Sequence, residues 1–89
     1  MLRIVYTTQF RKDYKRIQKR GQEMEKLKAV VTLLVTEEPL PEKYKDHPLQ
    51  GNFKGVRDCH IAPDWILLYV IVEDELRLIR TGSHADLFK

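Results

Sequence analysis

Cysteine is nearly absent. Cys59 is the only one in 89 residues, which excludes an intramolecular disulfide and any cysteine-rich metal site. A lone thiol agrees with a reducing compartment, and the chain is expected in the cytoplasm. Long apolar runs are also missing: the longest, Trp65 to Val72, falls far short of the roughly 20 residues that cross a bilayer. The N-terminal Met1-Leu2-Arg3-Ile4-Val5-Tyr6 lacks the apolar stretch of a signal peptide, so no membrane partner is expected. Glycine and proline number four each, and Gly21, Pro39 and Pro63 therefore act as punctuation between elements. No repeat, low-complexity segment or linker interrupts the chain.

What is present fits one small domain, 1–89, with a thin core. Hydrophobic residues make up 43% and charged residues 33%, a globular balance. The net charge of +3 is a weak pointer to a polyanion. Its distribution says more, because Arg11, Lys12, Lys15, Arg16, Lys19 and Arg20 crowd together with Asp13 as the only acid among them. Such a face can bind phosphate, although many basic helix faces are simply solvated.

Leu2 to Tyr6 reads as a short strand. Thr7 or Thr8 can cap a helix reaching about Lys19, with Gly21 just beyond it. Phe10, Tyr14 and Ile17 share one side of that helix and the cations fan over the other. A second helix runs from about Gln22 to Glu37, where Met24, Leu27, Val30, Val31, Leu34 and Val35 keep the spacing of a buried stripe; Pro39 ends it. Residues 39–53 form a loop long enough to expect function there. Three strands follow, near Gly55–Ile61, Trp65–Val72 and Leu76–Gly82, turning at Pro63-Asp64 and Glu73-Asp74-Glu75. The middle one is apolar on both faces, which predicts cover on both. The expected fold is α+β: two N-terminal helices packed on a small antiparallel sheet, in the order β-α-α-β-β-β.

All three histidines, His47, His60 and His84, lie beside loops or strand ends in the second half. Cleavage of RNA by its own 2′-hydroxyl needs a base, an acid and cations at the phosphate, and imidazoles suit the first two tasks. Asp64 can take a proton or orient a ring. Arg80, Arg57 and Lys54 can neutralise phosphate, and Trp65 and Phe88 can stack on bases. No HxH or HExxH spacing occurs, so no metal site and no cofactor are expected. An aspartate in the place of Asp64 is more often just a turn former after proline, and any one histidine alone is more often a surface or structural residue. The residues by themselves reach an α+β domain with an RNA-cleaving constellation.

The segment Tyr44-Lys45-Asp46-His47-Pro48-Leu49-Gln50-Gly51, then Lys54-Gly55, Arg57-Asp58 and Pro63-Asp64-Trp65-Ile66-Leu67, resembles the YafQ branch of the RelE/ParE toxins. The likeness closes with Arg80-Thr81-Gly82-Ser83-His84-Ala85-Asp86-Leu87-Phe88. This resemblance implies a metal-independent, ribosome-dependent endoribonuclease acting on mRNA in the 30S A site and held inactive by a cognate antitoxin, often in a heterotetramer. It implies His47, His60, Asp64 and His84 as catalytic residues, with Arg80 and Phe88 near the substrate. Proton transfer is expected of His84 and Asp64, with base and acid unassigned. Arg11 to Arg20 is expected to grip ribosomal RNA. The same scaffold can instead bind DNA gyrase, or serve as a non-enzymatic RNA-binding module; the four candidate catalytic residues favour the nuclease.

Overall fold

A computed structural model describes residues 1–49, 51 and 55–88. The chain runs β1 (Arg3–Tyr6), α1 (Thr8–Lys19), α2 (Met24–Val35), a short 3-10 turn (Glu42–Tyr44), β2 (His47–Pro48), β3 (Arg57–Ala62), β4 (Trp65–Val72), β5 (Glu75–Gly82) and α3 (His84–Leu87). Thr7 caps α1: its hydroxyl accepts from the Phe10 N–H at 2.9 Å and donates to the Ile79 carbonyl at 2.7 Å, so the cap also pins the helix to β5. α2 spans its apolar stripe, Met24 to Val35, and is shorter than the expected Gln22 to Glu37 by two residues at each end. Glu37 adopts the left-handed conformation and the Glu38 N–H returns to the Leu33 carbonyl at 2.9 Å, closing the helix before Pro39 acts.

The sheet order is β1-β5-β4-β3-β2. β3, β4 and β5 form the expected antiparallel meander, and β2 adds a two-residue antiparallel edge within the stretch expected to be loop. β1 runs parallel to β5, so the sheet is mixed and not antiparallel throughout. A parallel pair needs a long crossover, and everything between Tyr6 and Glu75 supplies one.

Both long helices cover one face. Phe10 and Ile17 of α1, with Leu27, Val30 and Leu34 of α2, meet Cys59, Ile61, Leu67, Tyr69, Leu76 and Leu78 from the sheet. Tyr14, expected beside Phe10, is exposed, and the third place on the α1 stripe goes to Asp13, which is fully buried. On the other face, Ile66 and Leu68 are also buried. Their flanking partners across the sheet are His60 and Gly82 for Ile66, and Asp58 and Arg80 for Leu68. The middle strand is thus covered on both sides, and its second face carries the polar residues.

Candidate active site

Residues directly opposite one another in a sheet share a face. His47 lies opposite Asp58, and His60 follows Asp58 by two positions on β3, so the pleat brings all three to the side away from the long helices. β5 ends at Gly82 and the chain turns into α3, which delivers His84 beside them. The ring centroids of His47 and His60 lie 6.5 Å apart, those of His60 and His84 5.6 Å, and those of His84 and Phe88 6.3 Å. The three imidazoles therefore form one row ending in a half-exposed aromatic.

Each ring is held differently. Asp64, in the turn between β3 and β4, accepts from both the backbone N–H of His84 at 3.0 Å and its Nδ1–H at 2.7 Å. The backbone bond first and the ring bond second hold the Asp64 carboxyl below the usual carboxylate range. Nδ1 is committed to Asp64, which leaves Nε2 of His84 as the nitrogen open to substrate. His47 donates Nδ1–H to the Lys45 carbonyl at 2.6 Å, since a carbonyl only accepts. Lys45 is left-handed, with φ 49°, which aims that carbonyl. The buried Asp58 carboxylate lies between two rings, 3.9 Å from His47 Nε2 and 3.6 Å from His60 Nε2. Its Oδ1 makes no hydrogen bond among the described residues.

Two of the three cations expected at the phosphate, Arg80 and Arg57, are engaged within the protein. Arg80 grips Asp13 through two bonds of 3.0 Å, and Asp13 also accepts from the Thr81 N–H at 3.3 Å. Arg57 grips Asp46 at 3.2 and 3.3 Å, and the Tyr69 hydroxyl donates to the same carboxylate at 2.6 Å. Burial first, and the bond to Asp46 second, raise the Tyr69 hydroxyl above its ordinary range. Asp46 thereby anchors the segment carrying His47 to the sheet. Lys54 lies outside the described residues.

Trp65 corrects its expected role. It is 1% exposed and its indole N–H donates to the Thr81 hydroxyl at 2.9 Å, so it packs in the core and offers no face to a base. On α1, Arg11, Lys12, Lys15 and Lys19 are exposed, with Arg11 over the Tyr6 ring at 6.0 Å. Arg16 and Arg20 instead turn toward Asp86. Reasoning from sequence missed Asp13, Asp46 and Asp58. Asp13 carried one signal, being three residues after Phe10 and four before Ile17, on the buried stripe. Among the described residues, no group of three His, Cys, Asp or Glu side chains is arranged to hold a metal ion.

The chain matches bacterial toxins of type II toxin–antitoxin systems: the family model with that description, for YafQ, covers residues 2–89. The chain belongs to the YafQ toxin family. It is 55% identical over 86 residues to the mRNA interferase toxin YafQ of Escherichia coli K12, covering 96% of this chain and 94% of that one. Among solved structures, the E. coli DinJ–YafQ complex superposes with a TM-score of 0.93 at 52% identity, covering both chains completely. A copper-bound mutant toxin from Helicobacter pylori superposes with a TM-score of 0.95 at 40% identity, over 99% of this chain and 100% of that one.

Proposed function

We propose that the chain is an mRNA interferase, the toxin of a type II toxin–antitoxin pair, cutting mRNA in the ribosomal A site while an antitoxin holds it in check. The observation that carries this reading is the His84–Asp64 pair, one imidazole fixed by one ionised carboxylate at the end of a row of three rings. In the reaction, the ribose 2′-oxygen attacks the adjacent phosphorus in line and gives up its proton. The bond from phosphorus to the 5′-oxygen breaks, and that oxygen takes a proton. The products are a 2′,3′-cyclic phosphate and a 5′-hydroxyl. His84 moves a proton through Nε2. Asp64, kept ionised, orients the ring and balances its charge rather than carrying the proton itself. His47 and His60 face the phosphate, with Asp58 between them balancing their charge when protonated. Phe88 offers its ring to a base next to the cut. Arg11, Lys12, Lys15 and Lys19 meet ribosomal RNA phosphates. The scheme uses side-chain acids and bases alone. The complex of the E. coli relative with DinJ supports a cognate antitoxin here.

Primer extension on a defined messenger, free and on programmed ribosomes, tests this reading. Discrete cuts are expected on ribosomes and not on free RNA, in EDTA-treated protein as in untreated. His84→Ala is expected to lower the cleavage rate by roughly 10²–10⁴-fold with ribosome binding kept, and Asp64→Asn to lower it less. Undiminished cutting by folded His84→Ala would remove His84 from the mechanism.

A further inference from the structure

α3 is a single turn, His84–Leu87, too short to hold its own shape, because forming the first helical turn is unfavourable in isolation. Yet it carries the imidazole on which the proposed chemistry turns. Its contact with Asp64 is at the surface, with both side chains more than half exposed, so that pair orients the ring but anchors the turn only weakly. Something else must set where this turn sits.

Asp86 meets that need. Its Oδ2 accepts from the Ser83 N–H at 3.0 Å, while the Ser83 hydroxyl accepts from the Asp86 N–H at 3.1 Å, the reciprocal capping box that closes the turn. The same carboxylate reaches out of the turn to α1. Arg20 donates to it through two bonds, 2.7 Å to Oδ2 and 3.2 Å to Oδ1, and Arg16 adds an ion pair at 3.6 Å. The Asp86 side chain is only 14% exposed, so these contacts are less screened than ordinary surface pairs. Gly82 makes the approach possible. Its φ is +157°, and a Cβ there would lie 2.9 Å from Asp86 Oδ2 and 3.0 Å from Asp86 Cβ, so the Asp86 side chain would have to shift to make room.

We propose that Asp86 is a positioning residue for His84: with Arg20 and Gly82 it clasps the last turn to the end of α1 and so fixes the imidazole beside His60. This inference rests on the nuclease reading for its kinetic arm only. It also takes Arg20 out of the phosphate-binding face, since its guanidinium fork is filled by Asp86.

The test combines kinetics with NMR on the full chain. Asp86→Ala is expected to lower the cleavage rate constant on programmed ribosomes about tenfold with the half-saturating ribosome concentration unchanged. Asp86→Asn, which keeps the cap acceptor but loses the charge, is expected to fall about threefold. Arg20→Ala is expected to match Asp86→Asn, and Arg20→Ala with Asp86→Ala to be no worse than Asp86→Ala alone, because one clasp cannot be broken twice. Arg20→Lys should recover part of the loss. In the isolated protein, cross-relaxation between the His60 and His84 ring protons is expected in the wild type and lost in Asp86→Ala, with the core resonances in place. An Arg20→Ala defect confined to ribosome affinity and additive with Asp86→Ala would return Arg20 to RNA binding and overturn the clasp. Unchanged cross-relaxation in both Asp86 variants would overturn it equally. A wild-type protein that cuts nothing would count against the nuclease reading, and the ring contacts would still decide the clasp.

Discussion

Trp65 and Asp64 are neighbours in the chain with opposite fates. Asp64 stands in solvent and holds His84, whereas Trp65 is sealed under the sheet with its N–H on the Thr81 hydroxyl, which in turn donates to the Ile66 carbonyl at 2.8 Å. An aromatic at a strand start beside a catalytic candidate invites a stacking role, but alternation along β4 puts Trp65 on the same face as Leu67 and Tyr69, the face turned to the core. Trp65→Phe keeps most of the ring while deleting the donor and leaving a gap. It is expected to destabilise the fold by about 2 kcal/mol. Urea denaturation should show a lower midpoint at unchanged slope; a midpoint equal to wild type would mean that the indole N–H contributes nothing to the core.

Between elements, the tie that matters most runs from α1 to β5. Asp13 is fully buried and satisfied by Arg80, the Thr81 N–H and Gln9, the last at 3.2 Å. The hydrogen bond to the Asp13 carboxylate raises the Arg80 guanidinium above its ordinary value. Asp13→Ala leaves Arg80 without its counter-ion and a buried N–H unpaired. A loss of about 3 kcal/mol in chemical denaturation is expected, whereas a change within a few tenths would show that the pair only breaks even. The periodicities of α1, α2 and the meander were legible because they are local. The parallel partnership of β1 with β5 was not, since nothing in a four-residue strand names a partner some 70 residues away. The site was legible to the same extent. His47, His60, Asp64 and His84 stood out by residue type and motif, but the other carboxylates that hold or flank the basic groups, Asp13, Asp46 and Asp58, did not. Asp13 meets Arg80 across 67 positions and Asp58 meets two rings through strand pairing, and neither relation leaves a mark in spacing.

For the whole molecule, a net charge of +3 conceals a set of acids that folding makes stronger. Asp86 is held below the ordinary range by the Arg20 bond first and the Ser83 N–H second, Asp74 by the bond to Arg3, and Asp64 by the His84 N–H. In the unfolded chain each titrates near the unperturbed value of 3.8. The folded state binds these protons less readily, so the stabilisation is complete above that value and disappears as the pH falls through the lower folded values. Asp64 and Asp74 are open to solvent and their share is small. Asp86, shielded and facing Arg16 and Arg20, dominates the linkage. Wild-type stability in urea is therefore expected to lose no Asp86 contribution between pH 7 and about 5 and to fall steeply below about 4. Asp86→Asn, already weaker at neutral pH, cannot lose this charge again, and its curve should fall less steeply and approach the wild type at low pH. Parallel curves for the two proteins across that range would place the acid sensitivity elsewhere in the chain.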